Sequence, residues 1–525
     1  MYETLARQPL HRKVGSFAQV DMVSALASFI ICVSIIAAFG LTSDKFAHWF
    51  VLPVLLCGAL IGIDAVDWVR GRLDVFDPVG LLGLVGFHFF FLAPLLHVHW
   101  NHWMAGTLVT PPQDWRVWLG SMAVLNLLGI LVYRLLRNPV QKYLEGRSKQ
   151  AVWVIDKGRF LCVLVFGLLI SLMAQILVYS AFEGLAGYIT TYQESITSLA
   201  ARETSYKGMG VVFMLSESFP LLTMVGFAVL ARKSKLLSNW VVLLLIVAVF
   251  VGLEFLFGGL RGSRSNVVFM IVWGVGIIHL WVRPVPRVLI YFGMAFLVLF
   301  MYYYGFYKSA GTEGLQALES PTAANALEEK TGRTSDVVIL GDLGRSDVQA
   351  FLLYRLTGST ASNYEYAWGE TYLAAASLLI PESVLPERPP SKVEYGTEAQ
   401  YGIGSYVPNI KQSSKIYGLA GEAMLNFGPL AIPFAFSVLG IFVGWVRHLF
   451  LTLAASDTRL LLLPFLVILS LVVLTSDLDN LLFFVIKNAS IPFLVIWLGS
   501  RRLVFGVPST EHRLGKPLST AENRA

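Results

Sequence analysis

The sequence predicts an all-α, polytopic membrane protein with about 12 transmembrane helices and one large outer loop between spans 9 and 10. Three observations carry that expectation. Hydrophobic residues make up 56% of the 525 positions and charged residues 14%, at a mean hydropathy of +0.65, whereas soluble chains are about a quarter charged. Apolar runs long enough to cross about 30 Å of hydrocarbon recur throughout the chain. Lysine and arginine then alternate between rich and poor connecting segments, as they do when short loops fall on opposite membrane faces.

The expected spans cover 22–41, 49–66, 78–97, 115–134, 160–181, 210–231, 240–259, 266–282, 288–307, 419–446, 459–476 and 481–500. Spans 1–9 therefore occupy 1–307, the large loop 308–418 and spans 10–12 419–500. Residues 501–525 are expected to be a disordered polar tail, with Pro508, Ser509, Glu511, Pro517 and Ser519. Ahead of the first span, Arg7, Arg12 and Lys13 precede an apolar run too long for the core of a cleaved signal, which makes it an uncleaved span.

One side of the membrane collects the basic N-terminus, Arg70 and Arg72, the segment from Arg134 to Arg159, Arg232-Lys233-Ser234-Lys235, Arg283 and Arg287, Arg447, and Arg501-Arg502. The other side has Lys45, a segment near Trp100 without a basic residue, Arg202 and Lys207, and Arg261 and Arg264. Both termini are thus expected to be cytoplasmic and the 308–418 loop outside. The pI of 9.0 follows from this topology, so no nucleic-acid partner is implied. Acidic residues outnumber basic ones in the loop, and each arginine there needs a local reason. Cys32, Cys57 and Cys162 all lie in apolar spans, which leaves no disulfide framework and no zinc spacing. Walker, Rossmann, HExxH and GxSxG arrangements are absent.

Ionisable residues inside spans are costly and tend to face a cavity or a partner. Glu217, Glu254 and Lys487 share a depth in the outer half of their spans, and Glu254 and Arg261 lie two helical turns apart. Buried ion pairing stands beside a functional reading for each. The junction Gly258-Gly259-Leu260-Arg261-Gly262-Ser263-Arg264-Ser265 combines flexible backbone, hydroxyls and two guanidiniums ahead of a helix, a setting that suits an anion. In the loop, Val348, Phe351, Leu352 and Leu356 are spaced as one face of a helix, which would put Arg345 and Arg355 on nearly the same side. Arg388 and Lys392 follow a proline-rich turn that holds them at low entropic cost. Glu422 begins the tenth span and Asn426 lies one turn later on the same face, a carboxylate and an amide able to grip sugar hydroxyls. His97, His99 and His102 invite a metal reading, but no local carboxylate or cysteine joins them and aromatic belts mark that depth. No metal or other cofactor is expected, and a histidine as general base is the better reading.

The ordered string Gly369-Glu370-Thr371-Tyr372, Leu379-Ile380-Pro381-Glu382, Arg388 to Lys392 and Gly421-Glu422 to Asn426-Phe427-Gly428 resembles the oligosaccharide repeat-unit polymerases of bacterial surface polysaccharides, the Wzy-type or O-antigen polymerases. Gly184-Leu185-Ala186-Gly187-Tyr188, Gly208-Met209-Gly210 and the Arg261 junction add to a likeness spanning roughly 170–445. The resemblance implies a glycosyltransferase of the inner membrane that works at its periplasmic face on repeat units carried by undecaprenyl diphosphate. It also implies a flippase and a chain-length regulator as partners in the same pathway. On that footing Arg261, Arg264 and Arg345 would bind diphosphate. Arg355, Arg388, Lys392, Glu370 and Asn426 would contact sugars or acceptor, and Glu422 would be the general base, with Asp347, Glu370 or an outer-turn histidine as alternates. A ligase adding one finished chain per acceptor would share topology and donor. A non-enzymatic flippase would need cations deep in the bundle and reachable from both sides, whereas here they gather toward one face.

Overall fold

In the computed structural model, the described residues are 21–104, 110–147, 151–197, 206, 208–358, 364–380, 384–408, 410, 412–413 and 415–504. The basic N-terminus, Arg202 and Lys207, the Pro381-Glu382 pair and the tail from 505 onward lie outside them.

Before the large loop, the helices are α1 (Met22–Thr42), α2 (Val51–Val69), α3 (Pro78–Trp100), α4 (Trp115–Arg147), α5 (Lys157–Ala181), α6 (Gly184–Thr197), α7 (Gly210–Ala231), α8 (Trp240–Phe257), α9 (Arg264–Val282) and α10 (Arg287–Ala310). The loop then contributes α11 (Pro321–Thr331), α12 (Ser346–Thr357), α13 (Glu370–Ser377) and α14 (Lys392–Tyr401). After it come α15 (Gly418–Phe427), α16 (Pro429–Thr452), α17 (Leu463–Thr475) and α18 (Leu478–Leu498). Among the described residues, 11 helices are long and apolar enough to cross a membrane. The protein is a helical, multi-pass membrane protein.

Two expected spans differ from the structure. The run 419–446 is not one helix, because Gly428 at φ 81° ends α15 and Pro429 begins a new one. All of α15 from Ala420 to Asn426 is buried, so its apolar sequence reflects protein packing. The run 459–476 yields only α17, whose 13 residues rise about 20 Å and fall short of the hydrocarbon thickness. Arg501-Arg502 likewise belongs to a strand: β1 (Ala151–Ile155) pairs antiparallel with β2 (Ser500–Val504), Trp153 opposite Arg502.

Contacts join segments assigned to the same side of the membrane. Arg287 donates to the Leu73 carbonyl, Arg232 to Ala455 O at 2.6 Å, and β1 meets β2, all joining segments assigned to the basic side. Arg264 meets Asp342 and His97 approaches Asp347, joining segments assigned to the other. Within the bundle, α4 and α16 approach closely at Gly440 and Gly444, where a Cβ would lie 2.9 Å from the Tyr133 carbonyl and 2.5 Å from that of Arg137.

The loop is not a separate domain. α12 is helical as its periodicity predicts, but it is buried nearly all round, with Phe351 against Trp115 and Tyr354 against Trp118. Its Leu352 and Leu353 belong to the same core as Met424 of α15 and Ile130 of α4.

Candidate functional site

Asp342 ends a widened helical turn, Val337–Asp342, and both of its carboxylate oxygens are taken by different arginines. Arg264 binds Oδ1 and Arg333 Nη2 donates to Oδ2 at 2.9 Å. Arg264 reaches Asp342 from the first turn of α9, placed there by the left-handed turn at Gly262 (φ 76°), where any side chain would strike the Tyr192 hydroxyl. Arg345 closes the other side, its Nη1 donating to the carbonyls of Gly341 (2.7 Å), Asp342 (3.3 Å) and Gly344, which the end of the turn would otherwise leave unsatisfied. Two guanidiniums thus hold the Asp342 carboxylate and a third caps the carbonyls beside it, with the charges of Asp477 and Asp347 also acting on Arg345. Arg264 Nη1, Arg333 Nε and Arg345 Nε are buried and make no hydrogen bond within the protein. Burial holds the pKa values of Arg333 and Arg345 below the usual arginine value, and both remain cations at neutral pH. Unspent donors on partly desolvated arginines are what an oxyanion recognises.

Sequence reasoning singles out neither Arg333 nor Asp342. The signal was the acidic excess of the loop, which gave every arginine there a choice of carboxylates without showing which one it takes.

Beside this cradle, the C-terminal half of α3 and the turn after it run along the segment 336–347. His88 Nε2 lies 3.0 Å from Ile339 O, and His102 Nδ1 lies 2.6 Å from Asp336 Oδ2. His97, only 1% exposed, has Nδ1 2.6 Å from the His102 carbonyl and Nε2 3.8 Å from Asp347 Oδ1. A carbonyl at Nδ1 assigns the proton there and leaves Nε2 with a lone pair facing Asp347. His99 packs instead on Phe39, so the three histidines turn to three different neighbours.

Glu422 and Asn426 sit in a different setting. Asn426 Nδ2 donates to Thr371 Oγ1 (2.7 Å) and to Glu422 O (2.9 Å), while its Oδ1 accepts from Gly369 N (3.0 Å). Every polar group of that amide is spent on protein, so the two motif strings, Gly369-Glu370-Thr371 and Gly421 to Asn426, complete each other. Glu422 is 3% exposed, and its Oε2 accepts from Leu478 N at 2.6 Å while Oε1 lies 3.1 Å from Thr371 Oγ1. Burial, and then the nearby Asp477 carboxylate, push its pKa up to about 8. Lys392 binds Asp477 and approaches Asp479 at 3.2 Å; Asp477 Oδ1 also accepts from Tyr417 N (2.9 Å) and Gly418 N (2.7 Å). The Asp477 charge raises the pKa of Lys392 against the effect of its burial.

A pH dependence follows. The folded-state pKa of Glu422 lies above the ordinary 4.5, so folding favours its protonated form. That contribution is complete below about pH 4.5 and is lost as pH rises through about 8, at about 1.4 kcal/mol per pH unit between them. Melting temperatures of the wild type should fall between about pH 5 and pH 8 more steeply than those of Glu422→Gln. Parallel curves would remove Glu422 as the cause.

No protein-family model matches this chain, and neither does any curated protein or solved structure.

The remaining expected site residues divide. Arg261 does not join the cradle; it pairs with Glu217, which also holds Lys487 Nζ at 2.6 Å, and its guanidinium lies 3.9 Å from the Phe213 ring centroid. The shared depth of Glu217 and Lys487 is therefore a real contact, with Glu254 buried nearby. Arg355 is buried and donates Nε to Ala399 O at 2.9 Å. It lies about 15 Å along α12 from Arg345, too far to share one small ligand group. Arg388 is exposed and donates to Ile380 O at 3.0 Å. Glu370 accepts from the Tyr395 hydroxyl at 2.5 Å.

Proposed function

We propose that this protein polymerises oligosaccharide repeat units carried on undecaprenyl diphosphate, at the periplasmic face of a bacterial inner membrane. The observation that carries this reading is the Arg264, Arg333 and Arg345 cradle, with its three unspent buried donors. In the reaction, a hydroxyl of the incoming unit attacks the anomeric carbon of the growing chain. The carbon–oxygen bond to the diphosphate breaks, the diphosphate leaves with the bonding pair, and the hydroxyl proton passes to a base. The cradle stabilises the charge that develops on the diphosphate, and preorganised donors in a poorly solvated site do this without reorganisation. With that charge met by guanidinium, the chemistry asks for no metal.

Asp347, two residues from Arg345, is the proton acceptor in this reading, with the His97 Nε2 lone pair 3.8 Å from its Oδ1. Glu422, its pKa raised by burial and both its oxygens occupied, serves with Asn426 and Lys392 to hold the loop segments in place. Arg261, with Glu217 and Lys487, supports the junction that presents Arg264. A flippase that supplies units and a regulator of chain length are the expected partners.

The test supplies lipid-linked repeat units to the purified protein in bilayers. A ladder of products is expected, and folded Arg345→Ala should lose it. One addition per acceptor would mean a ligase, and translocation without transfer a flippase; either result overturns the polymerase reading.

A further inference from the structure

The large loop carries an apolar face that is exposed among the described residues. From Thr371 to Ile380 the chain has no charged residue, and every exposed position is apolar: Leu373, Ala376, Leu378, Leu379 and Ile380. The opposite side of α13 is occupied: Thr371 bonds to Glu422 and Asn426, and Ala374 and Ala375 are buried. The exposed face is continuous with the lipid-facing surface of α16. Phe427 and Leu430 lead into Phe434 and Val438 at helical spacing, all exposed, and the Phe427 ring is 6.2 Å from Tyr372 and 6.4 Å from Trp368. On its other flank α13 packs against α18, which exposes Phe483 close to its start.

Trp368 adds an independent observation. Its backbone is left-handed (φ 46°), a conformation costly for a bulky side chain. The turn is held by Ala367 N to Leu425 O and Trp368 N to Asn426 O, both 3.0 Å, and it leaves the indole 73% exposed. Tryptophan in such a position is typical of the boundary between headgroups and acyl chains.

We infer that Trp368–Ile380 lies in the outer leaflet, with α13 against bilayer acyl chains between the outer ends of α16 and α18. This inference rests on the membrane-spanning helices alone and stands or falls apart from the polymerase reading. Part of the most polar stretch of the chain is then a membrane-embedded wedge whose dry inner side meets Glu422.

The experiment uses the full-length protein in lipid nanodiscs, with Cys162→Ser removing the exposed cysteine while buried Cys32 and Cys57 remain. Spin labels are placed singly at Leu373→Cys, at Val438→Cys as the lipid reference, and at exposed Glu387→Cys as the water reference. Leu373→Cys should match Val438→Cys, relaxed more by oxygen than by a water-soluble nickel chelate. Relaxation like that of Glu387→Cys overturns the inference in favour of solvent, and protection from both reagents overturns it in favour of a protein partner. Bromine-labelled lipids give a second reading: they should quench wild-type fluorescence more than that of Trp368→Phe, and equal quenching counts against the inference.

Discussion

Replacing Arg333 with methionine is expected to slow ladder formation by about 10²–10³-fold, the loss typical of removing one preorganised donor from a developing oxyanion. Asp342 would keep Arg264 on Oδ1, and Arg345 would still cap the carbonyls of Gly341 and Gly344, so the turn survives while the cradle loses one charge and one unspent Nε. Arg388→Ala is the matched control. It also removes a loop arginine, but an exposed one whose partner is the Ile380 carbonyl, and its ladder should equal the wild type. Equal rates for the two variants would dismantle the cradle as the catalytic feature. The effect should appear in turnover at saturating lipid-linked donor more than in its apparent affinity, because the extra negative charge exists only as the bond breaks.

The second large effect concerns stability. Lys392→Met takes the ion-pair partner from the buried Asp477 carboxylate and leaves it two backbone amides and the Arg345 charge beyond contact distance, and losing one partner of a buried pair costs about 3–5 kcal/mol. The exposed Lys330–Glu313 pair offers the contrast, since pairs of that kind contribute about 0–1 kcal/mol. Thermal melting in lipid should separate Lys392→Met clearly from Lys330→Ala, and Lys392→Met combined with Asp477→Asn should recover part of the loss. If the Lys392 and Lys330 variants melt together, the clamp between α14 and α18 is not a stabilising element.

What sequence could reveal here follows from which physical forces are local. Hydrocarbon thickness and charge asymmetry act along the chain, and they located most of the spans and grouped the loops by side. The cost of an ion in apolar surroundings pointed in the same way to Glu217 and Lys487, which do meet. Helical periodicity gives Arg345 and Arg355 a common face but says nothing of height, and the two stand near opposite ends of α12. Asn426 shows a different limit: its partners, Gly369 and Thr371, come from a segment folded back against it, and no pattern near Asn426 announces them. Gly428 shows a limit of hydropathy, because α15 is apolar for the sake of protein neighbours and reads like the start of a span.

The pairing of β1 with β2 constrains how the molecule is made. Its first strand emerges early and its second only after the last helix, with 344 residues between Ile155 and Ser500 (500 − 155 − 1). At ordinary translation speeds of about 5–20 residues per second, that interval lasts roughly 20–70 s. Throughout it the Ala151–Ile155 edge stands open, able to pair with another nascent chain. Sheet closure therefore cannot precede completion of α18, and a chain stopped before Ser500 has no way to close it.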